Sequence, residues 1–145
     1  IIGTTTNDAA AAGSVGEYIS AEILNGGSTI SLTNSTPANI VTISLTAGSW
    51  LVWGNVDFIF GATTTVTNAQ AGINTSSATL INKTFEGAIS YAFAGGPVVV
   101  NDLGIHAPMF RIALNSPTTV YMVAQATFGV STAHAAGFLA ATRVR

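Results

Sequence analysis

The chain has no cysteine and very little charge. Without thiols there are no disulfides, no thiol chemistry and no thiolate-bound metal, and redox compartment is not legible. Four basic and six acidic residues make up 7% of 145, where a typical soluble domain carries about a quarter. The cations are scattered at Lys83, Arg111, Arg143 and Arg145. A nucleic-acid-binding module needs clustered Lys and Arg to displace counterions, so that class is excluded. No run of 18 apolar residues is present, so no membrane-spanning segment is expected. Disorder requires low hydrophobicity with high net charge, and the chain has the reverse. It opens Ile1-Ile2-Gly3 with no initiator methionine and no signal peptide, which predicts a fragment or a processed product.

What is present is small, apolar or neutral and polar. Hydrophobic residues are 48% and mean hydropathy is +0.52. There are 23 Ala, 15 Gly, 20 Thr, 12 Ser and 10 Asn. The length suits one domain. A folded monomer of this mass exposes roughly 6,900 Å², or about one charge per 700 Å². So sparse a surface favours self-association unless much of it is hidden. A homo-oligomer is therefore expected, and the alternative is a secreted monomer coated in Thr and Asn.

Apolar residues recur with a period of 2, the mark of strands. Strands are predicted over 17–24, 28–33, 40–45, 49–60, 62–74, 109–114, 118–128 and 136–144. Asn25-Gly26-Gly27 reads as a hairpin turn between the first two. In 49–60, Trp50, Val52, Val56, Phe58 and Phe60 form a core face, with Gly54 as a gap. Leu51, Trp53, Asn55, Asp57 and Ile59 form a mixed face, as expected where a neighbouring subunit covers half a strand. Residues 75–108, rich in Gly and Pro, read as an irregular excursion with short strands near 88–93 and 97–100. Ala9–Ala12 could make one helical turn capped by Asp8. Eight to ten short strands imply an all-β sandwich or jelly roll.

Four stretches are similar to a recurrent C-terminal domain of bacteriophage tail proteins. They are TTTNDAAAAGSVGEYISAEI (4–23), ISLTAGSWLVWGNVDF (43–58), TTVYMVAQATFGVST (118–132) and TRVR (142–145). The sequence most resembles the knob at the distal end of a podovirus tail needle. The resemblance implies a jelly roll like that of tumour necrosis factor and the adenovirus fibre, assembled as a homotrimer. It implies a virion structural protein of the tail tip, acting in tail assembly and in contact with or penetration of the host envelope, and not an enzyme. It also implies that residues 1–16 connect to an upstream shaft of the same protein and that 17–145 form one knob domain.

Catalytic chemistry finds little footing. His106 and His134 have no nearby His or Cys partner, so no metal site is expected. There is no Gly-x-Ser-x-Gly elbow. The carboxylates Glu17, Glu22, Asp57, Glu86 and Asp102 are spread out and none is marked as one of a glycosidase pair. No cofactor motif occurs. Residues on the mixed faces, Trp53, Asp57, Arg111, Tyr121 and Gln125, are the candidates for a subunit interface or small-anion cleft. There Arg111 would need a partner for its charge: Asp57 or Glu22 of the next chain, or a trapped carboxylate or other anion. Trp50 and Trp53, three apart in a strand, face opposite ways. The aromatics Phe85, Tyr91 and Phe93 in the irregular stretch are candidates for a receptor-facing loop. A carbohydrate-binding, lectin-like module is the alternative reading, and a capsid or decoration protein is another.

Overall fold

The structure, a computed structural model, describes residues 10–80, 88–94 and 96–145. Among them are ten strands and no helix. They run β1 (Tyr18–Ile23), β2 (Ile30–Ser31), β3 (Ala38–Leu45), β4 (Gly48–Phe60), β5 (Thr65–Asn74), β6 (Ala88–Ala92), β7 (Val98–Val99), β8 (Asp102–Leu114), β9 (Thr118–Gly129) and β10 (Ala133–Arg143). Two antiparallel sheets face each other. One has the order β1-β10-β4-β8 with β2 also on β10; the other has β3-β9-β5-β6 with β7 also on β5.

Two of these strands are halves of one edge. β1 pairs with residues 137–142 of β10 and β2 continues along the same strand at His134 and Ala135. β6 and β7 share β5 in the same manner, at 68–72 and then 65–66. Counting each broken edge once leaves eight strands. The chain then behaves as one long hairpin wound into a sandwich: first strand on last (β1 on β10), β3 on β9, β4 on β8 and β5 on β6. That is the jelly-roll order. The expected all-β sandwich is the observed fold.

The same geometry corrects the hairpin reading of Asn25-Gly26-Gly27. Gly26 does take positive φ, 89°, and Gly27 N–H closes a turn on Leu24 O at 3.0 Å. The turn is a local excursion of an edge strand, and the flanking runs pair with β10, not with each other. A second correction concerns 102–108, read as irregular because of Gly104 and Pro108. These residues belong to β8. Between Val52↔Phe110 and Gly54↔Ala107 the register slips, so Trp53 faces both Pro108 and Met109. A bulge on an edge strand is where proline is tolerated. At the N-terminus, residues 10–17 make turns, with Ser14 N–H on Ala11 O and Glu17 N–H on Ser14 O, each 3.0 Å. They do not make the helical turn expected around Ala9–Ala12, and Ala9 with its proposed cap Asp8 lies outside the described residues.

The core face of β4 is as expected. Trp50, Val52, Val56, Phe58 and Phe60 are buried, alternating with half-buried Leu51, Trp53, Asn55, Asp57 and Ile59. Opposite these bulky residues stand small ones: Ala69 and Ala71 on β5, Ala124 and Ala126 on β9. Large against small lets the two sheets interdigitate at interior density. Gly54 is a gap because a Cβ there would lie 2.4 Å from Phe138 O and 3.1 Å from Met122 Sδ. Gly54→Ala therefore overpacks the core and should lower stability by about 1–3 kcal/mol in urea unfolding. Gly104→Ala, with no atom within 4 Å of its added methyl, should stay within about 0.5 kcal/mol of the parent.

Candidate functional site

Register places the outward side chains of the β1-β10-β4-β8 sheet in rows. Tyr18, Thr142, Leu51 and Arg111 form one row; Glu22, Phe138, Asn55 and His106 another; His134, Ile59 and Asp102 a third. Asp57 lies between the last two, beside Ala136 and Gly104. Nine Asp, Glu, His, Lys or Arg side chains occur among the described residues, and six of them stand on this one face: Glu22, Asp57, Asp102, His106, Arg111 and His134. The outward face of the other sheet carries amides and hydroxyls instead. There Gln125 pairs across from Gln70 and Tyr121 from Asn74, and Ser90 Oγ accepts from Asn68 Nδ2 at 2.9 Å and Gln70 Nε2 at 3.2 Å.

The sequence-derived interface residues are thus split. Trp53, Asp57 and Arg111 lie on the charged face; Tyr121 and Gln125 lie on the opposite side of the sandwich. Trp53 packs against Tyr18 with ring centroids 6.1 Å apart. Asp57 accepts a hydrogen bond from Asn25 Nδ2 at 2.6 Å. Arg111 is exposed and its Nε donates to Ser49 Oγ at 2.5 Å. Its register partner Leu51 is six residues from Asp57 along β4, about 20 Å, so the two do not meet within one chain. Asp102 and His106 share an outward strand face but stand about 13 Å apart, four residues along β8. No group of three metal-ligating side chains occurs among the described residues. His134 Nδ1 is buried without a hydrogen-bond partner among them. Of the receptor-loop candidates, Tyr91 and Phe93 sit on and just after β6 in edge-to-face contact, centroids 5.3 Å apart, and Phe85 lies outside the described residues.

A shallow hollow of about 190 Å³ opens beside Asp57, lined by Glu22, Asn25, Asn55 and the Phe138 ring, among others. It offers two carboxylates, two amides and one aromatic face, and no cation.

The strongest electrostatic arrangement was not among the sequence candidates. Arg143 is 5% exposed and its Nε meets Glu17 Oε2 at 2.9 Å. Its Nη1 donates to Ala47 O at 2.9 Å and its Nη2 to Thr46 Oγ1. The guanidinium lies 4.3 Å over the centre of the Trp50 ring, a cation–π contact. Gly48 is required beside it: a Cβ there would fall 2.0 Å from Nη1, and φ is +142°. Glu17 Oε2 also accepts from Gly13 N–H at 2.8 Å. That backbone donor first, and then the Arg143 guanidinium, hold the Glu17 carboxyl below its ordinary pKa against the effect of burial. Each of the three guanidinium nitrogens has an acceptor, so the cluster reads as structural. Its sequence signal was weak, since a terminal Arg reads as solvated.

No family model matches the chain, and no curated protein does. Solved structures that it resembles include the VP2 subviral particle of infectious bursal disease virus, at 20% identity and TM-score 0.39, covering 88% of this chain and 30% of that one. The Gx strain of the same virus gives 17% identity and TM-score 0.39, covering 99% and 36%. The chain spans about a third of the length of these proteins.

A carboxylate with a depressed pKa stabilises the fold fully above the ordinary carboxylate range and loses that contribution as pH falls through its folded value. Thermal stability should therefore drop as the pH is lowered from about 6 to about 3. Glu17→Gln should be less stable at neutral pH and should lose less over that span, as read by melting midpoints at each pH.

Proposed function

We propose that the chain is a virion structural protein, the homotrimeric knob at the tip of a phage tail needle or fibre. Its work is mechanical and adhesive: it caps and registers a trimeric shaft, to which residues 1–16 connect, and it presents a surface to the host cell envelope. The observation that carries this reading is where the family-like stretches meet. Glu17 of the first, Thr46 and Trp50 of the second and Arg143 of the last converge on one buried cluster. The resemblance therefore rests on residues that hold the knob together, as a structural role requires, and not on a catalytic set. A jelly-roll sandwich with a charge-poor surface suits a subunit that buries area against copies of itself.

A carbohydrate-binding module is the second reading. It is favoured by the hollow of Glu22, Asn25, Asn55 and Asp57 around Phe138, since sugar hydroxyls donate to carboxylates and accept from amide N–H groups, and sugar rings stack on aromatic ones. On this reading the isolated chain binds a glycan saturably as a monomer and Phe138→Ala abolishes the binding.

Light scattering should give about three times 14.7 kDa, and the assembly should survive an unboiled SDS gel. A soluble monomer would remove the trimeric knob and leave the glycan module.

A further inference from the structure

The two narrow sides of the sandwich are closed to different degrees. On one, β1 lies against β3, and the inward residues Val41, Ile43 and Leu45 are buried. On the other, β6 lies against β8 and the core is open. Ile89 and Tyr91 point the same way as their fully buried register partners Ala71 and Ala69, yet are 40% and 52% exposed. Phe93, Leu103, Phe110 and Ile112 on this side are only partly covered. Positions that the alternation assigns to a core are at the surface.

Among the described residues the same side is free of charge. From Ala88 to Asn101 the sequence has no Asp, Glu, His, Lys or Arg. Six of the nine described charged or imidazole side chains stand on the outward face of the β1-β10-β4-β8 sheet, turned away from it. Among the described residues β6 is also an edge strand, paired with β5 alone. β8 is guarded by Pro108 and its bulge, whereas β6 has neither proline nor charge to keep another chain away.

We propose that this open side is the surface by which one copy of the chain packs on another, with Ile89, Tyr91 and Phe93 buried between copies. The proposal deepens the oligomeric reading above and rests on it. A second copy is the occupant because a surface with neither sign of charge is complementary to itself. A charged partner would have to leave its charges unpaired against it. Like sides that meet around a three-fold axis supply apolar cover to one another. On this assignment Tyr91 and Phe93 are subunit contacts, not receptor contacts. Trp53, Asp57 and Arg111 face solvent.

Because the chain has no cysteine, a single introduced thiol reports its own neighbours. Wild type and variants are compared by light scattering at one concentration, with circular dichroism to check the fold. Tyr91→Asp, at a half-exposed site, is expected to fold and to run as a monomer, while Trp53→Asp and Gln125→Lys keep the wild-type mass. Ile89→Cys is expected to form covalent dimers under a mild oxidant, and Asn55→Cys is not. If wild type is oligomeric but Tyr91→Asp keeps its mass, or Asn55→Cys cross-links in place of Ile89→Cys, this surface is wrong and the oligomer stands. If wild type is itself a monomer, the oligomeric reading fails and this one with it.

Discussion

The rest of the structure depends on one buried ion pair. Glu17, at the entrance to the first strand, and Arg143, at the end of the last, meet across 126 residues of sequence. Taking both charges out of water is costly, and the pair is tolerated because both other nitrogens of the guanidinium also find acceptors. Those acceptors belong to the turn at Thr46 and Ala47, so a single side chain ties together the first strand, the last strand and the crossing from β3 to β4. Trp50 closes the cluster from the core side. A jelly roll pairs its first strand with its last, and this contact locks that pairing.

The winding has consequences for the surface. Every connection from β2 onward crosses between the sheets except those from β5 to β6 and from β6 to β7. Each sheet therefore ends on two edges, and the chain treats those edges differently. The β1/β2 edge is broken by an excursion, β8 by a bulge with a proline, and the β6/β7 edge by a second excursion that leaves apolar side chains uncovered. Breaks of this kind are ordinary devices against unwanted strand pairing. The β6 side is where the device is weakest and where, among the described residues, charge is absent.

Charge is scarce in the composition, but the fold decides where it goes. Two of the nine described charged or imidazole side chains are spent in the buried pair, and six share one sheet face. The opposite sheet presents amides and hydroxyls. A surface divided into one charged face, one neutral polar face and one apolar side has built-in direction, which an assembling subunit can use. Among the described residues the ionisable groups of the charged face are spread along strands with roughly 7 Å between rows.

Much was legible from the sequence alone. Period-2 alternation located nearly every strand, assigned Trp50 and Phe58 to the core and set Trp53 on the other face, because a pleated strand alternates whatever its partners are. Only tertiary structure decided which strands pair. That is why Asn25-Gly26-Gly27, with every local feature of a hairpin, serves instead as a bulge-out on a shared neighbour, and why Gly104 and Pro108 sit inside a strand. Only tertiary structure brought Arg143 to Glu17, since a buried pair separated by most of the chain leaves no spacing to read. It also parted Tyr121 and Gln125 from Trp53, Asp57 and Arg111. Alternation tells inside from outside, but a sandwich has two outsides, and which one a strand faces depends on the sheet it joins.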